Sequence, residues 1–410
     1  MSRKVSTLFF DMNSFYASVA QAVEPALMDR PVGVLTTDAP NAACIAASIE
    51  AKRCGVKMGT RQDEARQLCP GIVFRPVKHD VCVTFHHAIL RAVDTVLPVD
   101  RVWSIDECSC RLTGSQQDLT TALEIGRNLQ RAILRLVHPA LRSSVGVAPT
   151  RLLAKLAAGL EKPGGLHWLL PEILPDRIAH LAMDDLPGVS GRMRARLEAA
   201  GIMDVATLYA LDAKQARAIW GSVTGERFVR ELRGEDVEWP QTKRGMIGHG
   251  QVLTARNKTV EGARLVGRRL LVKAAARLRR EGFYAGSLHV GVKCARAGHL
   301  SYGGEIGFTQ DTIFLLETFD RYWARFPRYW PLAVNVNLGG LLPEAEYMPD
   351  IFAVPEAMAR SRNLNAAVDR LNQRFGQDTI RYGQLPPHHV PYTGAKIAFG
   401  RIPDFEDFRE

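Results

Sequence analysis

No stretch of this 410-residue chain supplies the roughly 18–20 consecutive apolar residues that a membrane-spanning helix requires. The first residues, Met1-Ser2-Arg3-Lys4-Val5, enter a strand-like run directly, without the apolar segment and small-residue cleavage site of a secretory leader. The expectation is a cytoplasmic protein with no membrane role. Cysteine is equally sparse: seven residues, an odd number, with no Cys-x-x-Cys pair. That excludes a disulfide scaffold and leaves reduced, mostly buried thiols. Cys108 and Cys110 would share one strand face, but without neighbouring His or Cys they make a poor zinc site. Acidic residues are in deficit, 43 against 53 Lys and Arg, so the net charge is +10. Such an excess points to a polyanionic partner, nucleic acid or an acidic membrane surface. The length exceeds what a single core supports and predicts two to four domains.

Within this background one stretch is anomalous. Trp103-Ser104-Ile105-Asp106-Glu107-Cys108-Ser109-Cys110-Arg111-Leu112 places two adjacent carboxylates in an apolar, strand-prone run. Ionised carboxylates avoid such surroundings unless a cation or a hydrogen-bond network compensates. On a strand their side chains point to opposite faces, so one can face a cleft while the other reaches round from the strand end. Asp11 ends another apolar run, Val5 to Phe10, and if the two strands pair, three carboxylates converge. Hard divalent cations take oxygen ligands of this kind, with Mg²⁺ and a phosphate-bearing substrate the usual occupants. Two solvated acids at a strand end are the plain alternative.

In chain order, residues 5–12 read as a strand running into a helix that starts at Asn13-Ser14-Phe15-Tyr16. Asn13 or Ser14 can cap it, and its first-turn amides offer an anion site beside Asp11. Residues 31–35 and 43–47 read as strands, followed by a short helix stopped by Gly55 and another over 61–69. Residues 72–77 return as a strand, and Val83–Val96 and 119–137 as amphipathic helices. After the strand Ser143–Val147, a helix opened by Pro149 and Thr150 carries the apolar stripe Leu152, Leu153, Leu156, Ala157 and Leu160. It closes on Glu161-Lys162-Pro163-Gly164-Gly165, which fixes Lys162 in a rigid turn. Residues 171–235 are helical with short loops. Their turn around Gly188, Ser190, Gly191 and Arg192 exposes backbone amides suited to a phosphodiester, and is otherwise a plain helical hairpin.

Residues 236–245 read as a linker, and beyond them lies a separate α+β unit with strands at 248–253, 287–293 and 333–338 and helices at about 259–281 and 311–325. Residues 245–345 hold 14 Lys and Arg against 7 Asp and Glu, so +7 of the net +10 lies here. From Arg264 to Arg280 there are seven basic residues and no acid. Arg269, Lys273, Arg277 and Arg280 recur on one helix face and are read as a phosphate-tracking surface rather than a merely solvated one. Residues 346–410 are polar, with Pro386-Pro387-His388-His389 read as a loop, and form a partly ordered tail.

Taken in order, these pieces resemble the Y family of DNA polymerases, the UmuC/DinB class that copies damaged templates. Phe10 to Val19 is similar to the family's first metal motif, Glu50 to Gly59 to its fingers motif, and Ser104 to Cys108 to its second metal motif. Ser144 to Val147, with Lys162 to Gly165, is similar to its third. The resemblance covers roughly residues 5–345. It implies an α+β, multi-domain right hand: a catalytic palm of a mixed sheet plus helices (1–30 and 75–170), small fingers (31–74), a helical thumb (171–235), and an α+β little-finger domain (246–345) that binds DNA. It further implies that Asp11, Asp106 and Glu107, with the Met12 carbonyl, hold two Mg²⁺ ions. The amides of Ser14, Phe15 and Tyr16 cradle the triphosphate, Tyr16 acts as the steric gate against ribose, and Lys162 adds charge to the triphosphate.

There are departures. Ile49 and Lys52 stand at nucleotide-binding positions where many DinB-type members have Tyr and Arg, and Lys is a point charge where Arg is a fork. Asn13 replaces a second Asp, Ser190 replaces a thumb glycine, and Gln384-Leu385 runs into two prolines where a clamp-binding peptide is expected. The implied activity is low-fidelity, template-directed extension of a primer with dNTPs in the DNA-damage response. The implied enzyme is a monomer, with a sliding clamp or accessory mutagenesis subunits as further partners. A polymerase-like scaffold that binds DNA and recruits another polymerase is the alternative, and a nucleotidyl cyclase a remoter one.

Overall fold

The computed structural model describes residues 4–36, 42–240, 243–327, 330–348, 355–376, 378–384, 386 and 402. It contains two compact units, one within residues 1–239 and one within residues 240–394. His388 and His389 lie outside the described residues.

The first unit runs β1 (Thr7–Met12), α1 (Phe15–Val23), β2 (Val32–Leu35), β3 (Cys44–Ala47), α2 (Ile49–Arg53), α3 (Gln62–Leu68), β4 (Val73–Pro76), α4 (His79–Asp94), β5 (Arg101–Val102) and β6 (Glu107–Arg111). It continues with α5 (Leu119–Leu136), β7 (Ser143–Ala148), α6 (Arg151–Gly159), β8 (Leu166–Trp168), α7 (Gly191–Ala199), α8 (Val205–Ala210), α9 (Ala213–Trp220) and α10 (Val223–Leu232). Five strands form a mixed sheet in the order β5-β6-β1-β7-β8, and β3-β2-β4 make a separate small sheet.

The period of two along β1 decides the layering. Leu8 and Phe10 join Cys108, Cys110, Val145 and Val147 on the face packed by Val83, Ile89 and Val93 of α4 and Leu129 and Ile133 of α5. Phe9 points the other way, into a cluster with Leu152, Leu153 and Leu156 of α6 and with the helices that follow. Fully buried side chains of this size each stabilise the fold by roughly 1.5–3 kcal/mol, so β1 anchors both layers. Close seating of α6 depends on Gly146. A Cβ there would lie 2.0 Å from the Ala154 carbonyl oxygen and 2.4 Å from the Ala158 nitrogen.

The second unit runs β9 (Met246–Val252), α11 (Val260–Arg280), β10 (Phe283–Cys294), β11 (Gly298–Thr309), α12 (Thr312–Trp323), β12 (Pro331–Pro343) and α13 (Pro355–Phe375). Its sheet, β11-β10-β12-β9, is antiparallel throughout. One face packs Leu288, Val290, Val334 and Val336 against Leu271, Ala274 and Leu278 of α11 and Leu315 and Phe319 of α12.

The structure departs from the sequence reading in three places. Asp106 is not on a strand: β6 starts at Glu107, and Asp106 sits in the turn joining β5 to β6. β11 is an edge strand whose Gly303, Gly304 and Gly307 erase the alternation that marks a strand in sequence. Part of the tail read as partly ordered is the 21-residue α13, held by polar contacts that leave little apolar periodicity. Its Asp369 pairs with Arg279 at 2.6 Å, and Asn365 Oδ1 accepts from the Thr312 amide at 3.4 Å.

Candidate active site

Three carboxylates meet at one end of the five-stranded sheet. Asp11, next to last in β1, lies opposite Glu107 of β6 and Ser144 of β7. The Met12 amide donates to the Asp106 carbonyl at 2.9 Å, which ties the β5–β6 turn to the end of β1. Within that turn Ser104 Oγ donates to Asp106 Oδ1 at 2.5 Å, and the Trp103 amide donates to the Glu107 carbonyl at 3.0 Å. The preceding carbonyl, Ile105, accepts from Nδ1 of His86 on α4 at 2.7 Å. Burial lowers the His86 pKa to about 4, so the ring is neutral near pH 7 and Nδ1 carries its proton toward that carbonyl.

Two lysines neutralise part of this charge. Lys162 Nζ pairs with Asp11 Oδ2 at 2.8 Å. Lys155 Nζ, on α6, donates to both oxygens of Glu107 at 2.7 and 2.8 Å. The other two acids are nonetheless shifted upward. Asp106 is pushed above the usual carboxylate range by burial and by the charge of Asp11, against the pull of its Ser104 hydrogen bond. Glu107 is raised by burial and by Asp11 and Asp106, with Lys155 opposing. Among the described residues no three acids close on a single point, because each carboxylate faces its own protein partner. Even so the donor set is oxygen-only. That fits a hard divalent cation.

Lys162 is positioned by a network around Asn13. The Gly164 amide donates to Asn13 Oδ1 at 2.8 Å, and Asn13 Nδ2 donates to Ser144 Oγ at 3.0 Å. Gln130 Nε2 clamps the same turn through the carbonyls of Ser143, Gly164 and Gly165 at 2.8, 3.1 and 3.2 Å. A buried amide at position 13 therefore does here the work of bracing the lysine turn, and Asn13 does not cap α1.

Beside Asp11, Ser14 takes the N-cap position of α1 in a left-handed conformation, φ 54°, and makes no side-chain capping bond. Its Oγ is buried without a hydrogen-bond partner. The first-turn amides of a helix have no intrahelical acceptor, so Ser14, Phe15 and Tyr16 present donors and an orphaned hydroxyl to the same corner. The rings of Phe15 and Tyr16 meet edge to face at 5.7 Å. Burial, Cys82 and Asp106 push the Tyr16 phenol well above its ordinary pKa, so it stays neutral.

Ile49 and Lys52 lie on α2, which Ser48 caps by accepting from the Ala51 amide at 3.3 Å. The Lys52 ammonium is lowered in pKa by desolvation and by the nearby charge of Lys162, while Asp11 and Asp106 oppose. Two cations and two carboxylates thus share one small region.

Comparison with known proteins gives this geometry a lineage. The model of the impB/mucB/samB family matches residues 10–159, from just before Asp11 to the end of α6. DNA polymerase IV of Moorella thermoacetica is 31% identical over 412 residues, covering 98% of this chain and 99% of the relative. The chain belongs to the Y family of DNA polymerases. DNA polymerase IV 1 of Bacillus subtilis is 28% identical over 397 residues, 91% of each chain. Among solved structures, a Dbh–Dpo4 chimera described as a Y-family DNA polymerase superposes with TM-score 0.69 at 21% identity, over 82% of this chain and 99% of that one. DinB from Sulfolobus solfataricus superposes with TM-score 0.53 at 22% identity, over 82% and 98%. At that identity the structural likeness speaks for the Y-family fold.

The DNA-binding candidates of this Y-family chain fare unequally. Gly188, Ser190, Gly191 and Arg192 form an exposed turn leading into α7, with Gly188 at φ 93°. The basic face of α11 is instead turned to acids of its own unit. Arg269 pairs with Asp378 at 2.9 Å, Arg277 with Glu281 at 2.9 Å, and Arg264 and Arg268 both with Asp320. Lys273 and Arg280 have interactions as well. The counter-charges of the run come from Glu261 and Glu281 at its two ends and from residues beyond position 310. Sequence reading missed Lys155 and His86 as parts of the site and read Asn13 as a cap candidate rather than as the brace of the lysine turn. For Lys155 a signal existed: six of the nine residues of α6 are buried, and a lysine among them needs a counter-charge.

Proposed function

We propose that this chain is a template-directed DNA polymerase that adds dNTPs to a primer 3′ end by nucleotidyl transfer, with low fidelity and the capacity to copy damaged templates. The observation that carries the reading is the placement of Asp11, Asp106 and Glu107 at one end of the sheet, beside Lys162 and the open first turn of α1. On this reading the five-stranded sheet is the palm and β2 to β4 belong to the fingers. The helices from α7 to α10 form the thumb and the second unit is the little finger.

Asp11, Asp106, Glu107 and the Met12 carbonyl would hold two Mg²⁺ ions. When bound, such ions lower the pKa of the primer hydroxyl and neutralise charge on the leaving pyrophosphate. The chain's own groups do the rest. The Ser14, Phe15 and Tyr16 amides and the Ser14 hydroxyl bind phosphate oxygens at a helix N-terminus. Lys162 and Lys52 meet the growing negative charge of the triphosphate. Tyr16, neutral and half-buried, closes the space beside the sugar, and Ile49 contributes apolar contact only.

Arg264, Arg268, Arg269, Arg277 and Arg279 of α11 are paired within their unit, which favours the open face of its sheet as a duplex-binding surface. There Asn335 and Asn337 lie flat across glycines: a Cβ on Gly248 would meet Asn337 Oδ1 at 2.1 Å, and one on Gly291 would meet Asn335 Oδ1 at 2.2 Å. Exposed His289 and Lys293 share this face. A flat polar surface of this kind suits a sugar–phosphate backbone. The substrates are primer–template DNA and dNTPs, and the enzyme works as a cytoplasmic monomer with a sliding clamp or accessory subunit as its candidate protein partner.

The test is extension of a labelled primer with Mg²⁺ and dNTPs, on intact template and opposite an abasic site. Extension past the lesion supports the reading. Protein that binds primer–template and never extends it contradicts it.

A further inference from the structure

The sheet face that carries α6 holds a second cluster, on the side of the carboxylates away from Lys162. Two guanidinium groups lie over the Trp103 ring, Arg101 at 4.1 Å and Arg151 at 4.5 Å from its centroid. The indole is fixed by its N–H, which donates to Ser109 Oγ at 2.9 Å. A guanidinium stacked on an aromatic face keeps its N–H edge directed outward, where it matches the geometry of a phosphate. Beside the stack a polar cavity of about 110 Å³ is lined by Arg151, Arg111, Ser6, Thr7 and Ser109, with the exposed acids Asp100 and Asp236 also against it. Buried Glu231 feels the charge of Arg151 from within the unit. Arg101, Arg111 and Arg151 thus lie among Asp100, Asp236 and Glu231, so the cluster is marked by the guanidinium geometry rather than by net charge.

The placement of this cluster names its ligand. Arg151 and Lys155 stand one turn apart on α6, about 6 Å along its axis. Lys155 reaches Glu107 while Arg151 reaches Trp103, so the basic strip begins at the carboxylates and continues along the β5–β6 side. The other side is taken by Lys162, Asn13 and the N-terminus of α1. A primer whose 3′-hydroxyl lies at the carboxylates, with the triphosphate on the Lys162 side, leaves along β5 and β6.

We propose that the Arg101–Trp103–Arg151 stack, with Arg111, is a subsite for the sugar–phosphate backbone of the primer strand near its 3′ end. The proposal rests on the polymerase reading above. Trp103 acts as the surface that positions the two guanidiniums, and no base is read. The contact is with charge and is independent of sequence.

The test uses the full chain and a primer–template in which one phosphodiester at a time is replaced by an uncharged methylphosphonate. The linkages nearest the primer 3′ end are scanned, then the facing template linkages. Affinity is measured by fluorescence anisotropy for wild type, Arg101→Gln and Arg101→Gln/Arg111→Gln, which leave the Arg151–Glu231 neighbourhood intact. In wild type, neutralising one or two primer linkages should weaken binding about tenfold, the worth of a charge-assisted hydrogen bond. In the variants the same linkages should cost nothing further, and the dependence of log Kd on log salt should fall by about one per lost contact. Independent, multiplying losses at every primer linkage overturn the proposal, as does coupling to the template strand alone. Failure of the polymerase reading shows separately, as absence of extension by wild type on the unmodified primer.

Discussion

Lys155 closes on both carboxylate oxygens of Glu107, at 2.7 and 2.8 Å, from a helix that otherwise turns its leucines into the core. The pair is part-buried, with the side chains 31% and 17% exposed. Removing one partner leaves a charge with no counter-ion, a loss smaller than for a fully dry pair. Lys155→Met should therefore lower the melting temperature in EDTA by about 2–6 °C, while Lys155→Arg should hold most of it. Mg²⁺ should restore more stability to the Met variant than to wild type. Differential scanning fluorimetry with and without metal reads this directly, and equal Mg²⁺ shifts in the two proteins would count against it.

The two raised carboxylates set a pH dependence. Asp106 and Glu107 both titrate above their ordinary values when folded. The folded chain therefore binds these protons more tightly than the unfolded chain. Their contribution is present below the unfolded pKa and is lost as pH rises through the folded one. In EDTA, Asp106→Asn should flatten the loss of stability between mildly acid and neutral pH. At pH 7.5 it should melt higher than wild type, because the folded acid must there give up the proton that burial favours. Stabilisation by Mg²⁺ should grow with pH, because the ligands must be deprotonated. An Asn variant that melts lower than wild type at pH 7.5 contradicts the assignment of strain to this acid.

Gly146 tests the seating of α6. A Cβ at this position collides with helix backbone rather than with a movable side chain. Gly146→Ala should cost about 1–3 kcal/mol and draw Lys155 away from Glu107. Chemical denaturation checks the first effect, and loss of the Lys155→Met stability difference in the Ala background checks the second.

Tyr16 tests the sugar side of the site. Tyr16→Ala should raise ribonucleotide incorporation relative to deoxynucleotide by about 10–100-fold, the range that steric contacts in a pocket supply. The comparison is kcat/KM for one ribonucleotide and its deoxy counterpart opposite the same template base. Unchanged discrimination would remove Tyr16 from that role.

Much of the first unit could be read from sequence because its signals are local. The apolar run ending in Asp11, the Gly55 stop and the Pro-Gly-Gly turn after Lys162 each act within a few residues. What escaped reading depends on partners far along the chain. The Lys155–Glu107 pair spans 48 residues and the Asn13–Gly164 bond 151. The ion pairs of α11 escaped for the same reason: charge periodicity shows which residues share a helix face, but not that Asp320 and Asp378 will face them. β11 and α13 were invisible because glycine in one, and polar docking in the other, remove the hydrophobic period.

The account stands or falls on Asp106. Single-nucleotide incorporation should be measured for wild type and Asp106→Ala on the same primer–template with Mg²⁺, with DNA affinity and melting temperature determined alongside. The predicted result is a fall in the incorporation rate of at least about 10³-fold, with DNA affinity within about twofold and no loss of stability. Wild-type incorporation by Asp106→Ala contradicts it.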